Sequence, residues 1–287
     1  MSLPRWLGRA LSFLALLAIV IALWEGYKLF GKLSGGTIPL TNLGLPVRAD
    51  NRSMPHVWDI VGALFQPRQR GSEEILVVFL AKGAFFTLRS ALVGFLVGSV
   101  IGFAIGVVFV HSRFLERGLM PYVVASQTVP IIAIAPMVVI WVSRLGWPTW
   151  RGVAIIAAYL TFFPVAINTL RGLRSPDPPA VELMSSYASS GWEVLWKLRF
   201  PAALPYLFTA LKVSATLSVI GAIIGELPAG LDQGLGRSLL TFMYFYVSGP
   251  EKLYASVLVA GALGITFVGA VALAERLVVP TGRRLEA

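Results

Sequence analysis

Asp177–Pro205 reads DPPAVELMSSYASSGWEVLWKLRFPAALP, a polar stretch between strongly apolar neighbours. Asp177 ahead of Pro178-Pro179 suits a helix N-cap followed by a first turn that tolerates proline. The helix expected over Ala180–Ala188 ends in Ser189-Ser190-Gly191, and Ser190-Gly191-Trp192-Glu193 has the S-x-x-E spacing of a capping box. The second helix carries Trp192, Leu195, Trp196 and Phe200 against Lys197 and Arg199. Pro201 and Pro205 are expected to interrupt the chain before the next apolar run. A rigid, short amphipathic helix pair results. Two readings of it stand open here: a Trp-rich face lying among lipid headgroups, or one seated in a groove on a soluble partner.

The surroundings of this stretch are built for lipid. The chain of 287 residues is 56% hydrophobic and 13% charged, against about 25% charged in soluble domains. The net charge of +10 fits Lys and Arg gathered in cytoplasmic loops, so no nucleic acid partner is expected. The absence of cysteine excludes disulfides and thiolate chemistry. His56 and His111 stand far apart with no carboxylate pattern around them, so no histidine metal site is expected.

The fold class that follows is all-α, a polytopic membrane protein with six transmembrane helices, each near the ~20 residues that cross a bilayer. The expected spans are 10–24, 85–110, 119–142, 152–170, 205–227 and 253–274. The first is read as a retained anchor, since Glu-Gly-Tyr-Lys follows it and no A-x-A site appears. An even number of crossings puts both termini on one face with Arg5, Arg9, Arg113, Arg117, Arg171, Arg174, Lys197, Arg199, Arg283 and Arg284. The positive-inside rule makes that face cytoplasmic, with Arg144 and Arg151 counting against. The domain reading is an anchor at 1–30, an external segment at 31–84 with a surface helix around Met54–Phe65, a core at 85–280 containing the loop 177–205, and a tail at 281–287.

Gly94, Gly98, Gly102 and Gly106 recur every fourth residue and form a helical stripe without side chains, where another backbone approaches closely. The stripe serves packing within the subunit or across a dimer. In the third span Pro121, Pro130 and Pro136 surround Gln127 and Thr128. A helix broken at membrane depth is buried in protein or lines a cavity; a simple kink is the alternative. Gln127, Thr128, Pro130, Asn168 (after Pro164) and Glu226 are the translocation-path candidates, Glu226 being equally suited to packing at its span end. Lys212 is read as snorkelling. No chain of Asp, Glu and His runs through the spans, as a proton-coupled carrier requires.

The polar stretch resembles the EAA loop of permease subunits from ABC importers. Glu182 matches its glutamate, Ser189-Ser190 the end of its turn, Trp192-Glu193 the aromatic-polar pair, and Pro201-Ala-Ala-Leu-Pro205 its closing run. Leu183-Met184 replaces two alanines, and Ala188 stands where the family has glycine. The likeness extends over roughly 87–274, including Gly225-Glu226-Leu227-Pro228 and Gly234-Leu235-Gly236. It is similar to the branch handling nitrate, taurine, sulfonates, bicarbonate, and riboflavin or pyrimidine-type compounds, leaning to the last. The resemblance implies a bacterial inner-membrane importer subunit whose ATPase-coupling residues are Glu182, Ser189, Ser190, Gly191, Trp192, Glu193, Trp196, Arg199 and Pro201. It implies a second copy of the chain as a homodimer, two cytosolic ABC ATPase subunits, and an external solute-binding protein. No cofactor is expected on the chain itself, because it carries no G-x-x-x-x-G-K-[ST]; ATP and Mg belong to the ATPase. A proton- or ion-coupled secondary transporter and an intramembrane enzyme are the competing classes. The first would show internal repeats, and the second convergent His, Asp or Ser groups at membrane depth.

Overall fold

The computed structural model describes residues 5–38, 43–69, 71–227, 231 and 233–279. Eleven α-helices occur among them: α1 (Arg5–Leu33), α2 (Val57–Ala63), α3 (Leu76–His111), α4 (Arg113–Ala125), α5 (Ile131–Arg144), α6 (Thr149–Leu173), α7 (Pro178–Ser186), α8 (Gly191–Glu193), α9 (Phe200–Glu226), α10 (Leu235–Tyr244) and α11 (Pro250–Val278). Five helices among the described residues are long and apolar enough to cross a membrane, and the α4–α5 pair, bent by 95°, passes the same test when its two halves are taken together. Pro228, Arg283, Arg284 and the tail 281–287 lie outside the described residues.

Two compact units divide the chain. The first comprises Met1–Phe79 and Thr241–Val257. Here α1 and the 43–69 segment are stitched by polar groups: the Trp24 indole donates to the Pro55 carbonyl at 3.0 Å. Glu25 Oε1 accepts from the Val57 amide at 2.9 Å. That bond caps α2 from another helix, since its own N-cap His56 gives no side-chain bond. Tyr254 Oη donates to the Ser53 carbonyl at 2.8 Å. The surface helix expected around 54–65 is therefore present as α2, fixed to α1.

The second unit, Leu80–Leu240 with Leu258–Ala287, is organised around α6. Gly94, Gly98, Gly102 and Gly106 of α3 face Ala154, Ala158, Phe162 and Ala166 of α6 so closely that a Cβ on any of them would meet α6 atoms at less than 3.0 Å. On its other side Ala157 meets Gly221 of α9, and Val153 meets Gly225. Ser214 of α9 donates to the Thr161 carbonyl at 3.2 Å. The stripe thus packs within the subunit, settling the alternative left open by the sequence. Small residues are what make this possible, because backbones approach only where side chains are absent. Val139 of α5, Phe95 of α3 and Phe267 of α11 close the same core.

Three features differ from expectation. The second span starts at Leu76 instead of 85: Lys82 does not stop a helix whose 36 residues, about 54 Å at 1.5 Å per residue, exceed the ~30 Å hydrocarbon core. Pro201 and Pro205 do not interrupt the chain. Val194–Arg199 forms one wide turn in which the Phe200 amide bonds the Leu195 carbonyl, five residues back. A proline removes a backbone donor and crowds the carbonyl one turn earlier; the wide turn just before Pro201 accommodates both. Gly191–Glu226 consequently runs as one helical span. Lastly, Lys212 does not snorkel free but pairs with Glu275 of α11 at 3.0 Å.

Candidate functional site at the α7–α9 elbow

The elbow is two helical pieces meeting at a sharp, fully bonded corner. Asp177 occupies the N-cap of α7 but its side chain forms no capping bond. Pro178 and Pro179 remove two of the first-turn amides such a cap serves, so the start is held by backbone bonds to Asp177 O from Ala180 N at 3.0 Å and Val181 N at 3.3 Å. The far end is a Schellman closure: Ser189 N donates to Met184 O at 3.1 Å and Ala188 N to Ser185 O at 2.9 Å. Ala188 sits at φ +51, the one non-glycine residue with positive φ among those described. The departure from glycine at this position is therefore a departure into strain.

The expected capping box is formed. The Glu193 amide donates to Ser190 Oγ at 3.3 Å, and the Ser190 amide to Glu193 Oε2 at 3.0 Å. Lys197 Nζ holds the other carboxylate oxygen at 2.7 Å. The apolar residues of this helix do not form one face. Leu195 is buried with Leu173, Ala203 and Leu207, and Phe200 packs on that cluster. Trp192 and Trp196 turn outward, 67% and 44% exposed, with their rings 5.5 Å apart edge to face. Leu183 of α7 and Tyr187 at its C-cap are also exposed. Leu195 roots the elbow in the bundle while an aromatic ridge projects from it. Glu182, Ser190 and Gly191 are exposed; Ser189, Arg199 and Pro201 are half-buried.

Behind α7 lies a cavity of 1030 Å³ lined by Arg113, Glu116, Arg117, Arg174, Glu182 and Arg199, among others. Arg174 Nη1 donates to Glu116 Oε1 at 2.7 Å, and this bond raises the guanidinium above its ordinary range.

The path candidates separate. Gln127, Thr128 and Pro130 lie at the break between α4 and α5, all exposed, where Ser126–Thr128 is a 3-10 turn. Tyr159 Oη of α6 donates to the Ser126 carbonyl, which also accepts from the Val129 amide at 3.4 Å. Asn168 is half-buried and donates to the Pro164 carbonyl at 2.8 Å. Glu226 faces no opening in this structure: it is fully buried. Thr87 Oγ1 lies 2.9 Å from Glu226 Oε2, and the Gly236 amide donates to the same oxygen at 2.8 Å. Gly234, at φ +116, presses on the carboxyl so closely that a Cβ would lie 2.5 Å from Glu226 Cδ. The Gly-Leu-Gly element exists to let a backbone fold over Glu226. Sequence reasoning missed Thr87 as its partner, and no local pattern links residues 139 apart. It also missed an apolar pocket of 480 Å³ with Trp147, Trp150, Tyr159 and Phe162 in its wall. Arg89 stacks on Trp150 at 4.1 Å.

The family described as binding-protein-dependent transport system inner membrane component matches residues 94–281. The formylaminopyrimidine transport permease protein ThiX of Halalkalibacterium halodurans is 32% identical over 233 residues, covering 78% of this chain and 90% of that protein. The riboflavin transport system permease protein RibX of Chloroflexus aurantiacus is 33% identical over 150 residues, 52% of this chain and 54% of that protein. Among solved structures, an inward-facing MetNI methionine ABC transporter chain aligns with TM-score 0.59 at 19% identity, covering 72% of this chain and all of that one.

Proposed function

The chain belongs to the binding-protein-dependent transport system inner membrane components, a permease subunit of an ABC importer, and from that premise we propose that the α7–α9 elbow is where a separate ATPase grips it. The observation that carries this is the outward aromatic ridge of Trp192 and Trp196 on an elbow whose other face is anchored by Leu195. A solvent-facing Trp pair with its backbone clamped by a capping box and a Schellman closure costs little entropy to bury in a partner's groove.

In this reading two copies of the chain form the path, related by a twofold axis. Two ATPase subunits hold ATP and Mg, and nucleotide-driven closure moves the two elbows. The ATPase state then biases inward- against outward-facing forms by differential affinity. An external binding protein delivers the solute. The elbow, Arg171 and both termini face the cytoplasm of a bacterial inner membrane. The test is to purify the permease with its ATPase, carrying Trp192→Asp: membrane insertion is expected to persist while the ATPase no longer co-purifies. Undiminished co-purification with coupled transport refutes the assignment.

For the solute we propose a nitrogen heterocycle of pyrimidine type. The likeness to ThiX over most of that protein's length supports it, and the aromatic pocket suits a flat ring better than an inorganic anion. Ligand screening of the partner binding protein by calorimetry tests this; tight binding of nitrate or a sulfonate, with none of a heterocycle, overturns it.

A further inference from the structure

The cavity behind α7 holds more positive charge than the protein neutralises. Four arginines line it against two glutamates. Glu116 is bonded by Arg174 and also feels the charges of Arg113 and Arg117; Glu182 is the one other carboxylate in the lining. None of Arg113, Arg117, Arg199 and Glu182 forms an ion pair among the described residues. Arg113 and Arg117 stand one turn apart on α4, an unfavourable like-charge spacing, and the Glu116 carboxylate whose charge they share is already held by Arg174. The wall also includes the start of α4, thirteen residues long with Ser112 as its cap, where first-turn amides and the helix dipole favour negative charge. At 1030 Å³ the space reaches the upper end of ordinary ligand pockets, about 300–1,000 Å³.

We propose that this cavity binds a phosphate-bearing anion through the guanidinium groups of Arg113, Arg117 and Arg199. Guanidinium forks match phosphate oxygens two at a time, which a carboxylate partner or a lysine does less well. Two sources share that chemistry: the headgroup of an anionic phospholipid, and free phosphate. The lipid source rests on the elbow lying at the inner leaflet; the binding itself does not depend on the ATPase reading. Because Pro178, Val181, Glu182 and Ser185 of α7 form one wall, an occupant braces the elbow from behind.

The experiment uses the full chain, without ATPase, in phosphatidylcholine nanodiscs. One arm adds inorganic phosphate at constant ionic strength; the other replaces part of the lipid with phosphatidylglycerol in phosphate-free buffer. A rise in unfolding midpoint is expected in at least one arm, and which arm identifies the source. Arg113→Gln with Arg117→Gln is expected to weaken the effect about tenfold per guanidinium removed, the scale of a hydrogen bond to a charged group. Arg171→Gln, an exposed arginine outside the cavity, is expected to leave it unchanged. No shift in either arm overturns the proposal, as does an Arg171→Gln loss equal to that of the double variant, which would mean general surface charge. Should the double variant fold poorly, Arg199→Gln carries the same expectation.

Discussion

Thr87 and Glu226 meet at 2.9 Å although 139 residues separate them. The Leu235 amide donates to Thr87 Oγ1 at 2.9 Å while the Gly236 amide bonds the carboxylate. Two side chains from two spans thus hold one returning backbone. Thr87→Val keeps the shape and removes the hydroxyl. It is expected to destabilise the protein by about 1–3 kcal/mol, the cost of leaving buried polar groups unpaired, measured by thermal unfolding in detergent. An unchanged midpoint would mean that water replaces the hydroxyl.

The glycine stripe makes a second expectation. Gly98→Leu places a side chain against the Ala158 carbonyl and Thr161, so it is expected to disrupt the single subunit and not only its assembly. Even Gly98→Ala is expected to cost about 1–3 kcal/mol as overpacking. Gly118→Ala, with open space around it, serves as the neutral control. A Gly98→Leu chain that folds as a stable monomer would contradict the packing.

Ala188 at φ +51 gives an expectation of opposite sign. The left-handed conformation costs a non-glycine residue about 1–2 kcal/mol, partly offset by the greater freedom of glycine in the unfolded chain. Ala188→Gly is therefore expected to stabilise the protein by about 0.5–1 kcal/mol, read as a higher unfolding midpoint with transport retained.

At the elbow, Gly191 is the first residue of its helix, preceded by Ser190 in extended geometry at φ -67 and ψ 156. Proline is accepted at that position. Gly191→Pro is expected to leave ATPase stimulation within about twofold of the native value, whereas Trp192→Asp abolishes it. Equal losses in the two variants would indicate that the corner itself, and not the aromatic ridge, is recognised.

Lys212 and Glu275 form a partly buried pair between α9 and α11. Breaking such a pair from one side strands a charge at a cost of about 3–5 kcal/mol when fully buried, and the partial exposure here lowers that figure. Glu275→Gln is expected to destabilise, and Lys212→Met with Glu275→Met together to recover most of the loss. A double-mutant cycle in unfolding midpoints measures the coupling.

Local signals were readable in proportion to their sequence range. The stripe from Gly94 to Gly106, the break at Pro130 and the Ser190–Glu193 capping box each lie within a few turns, and each stands where the residues place it. What stayed hidden depended on distance or on compensation. Thr87 with Glu226 and Lys212 with Glu275 are pairings of remote residues that no periodicity encodes. Pro201 and Pro205 look like breakers, but a single turn of altered bonding just upstream cancels their effect. Trp192 and Leu195 read as one face in the sequence, but the folded helix exposes the first and buries the second.

The wide turn before Pro201 has a mechanical consequence. With no joint between Trp192 and Glu226, the 36 residues from Gly191 onward behave as a beam about 54 Å long. A tilt of ten degrees imposed at one end sweeps the other through about 9 Å over that length, comparable to the width of a small solute.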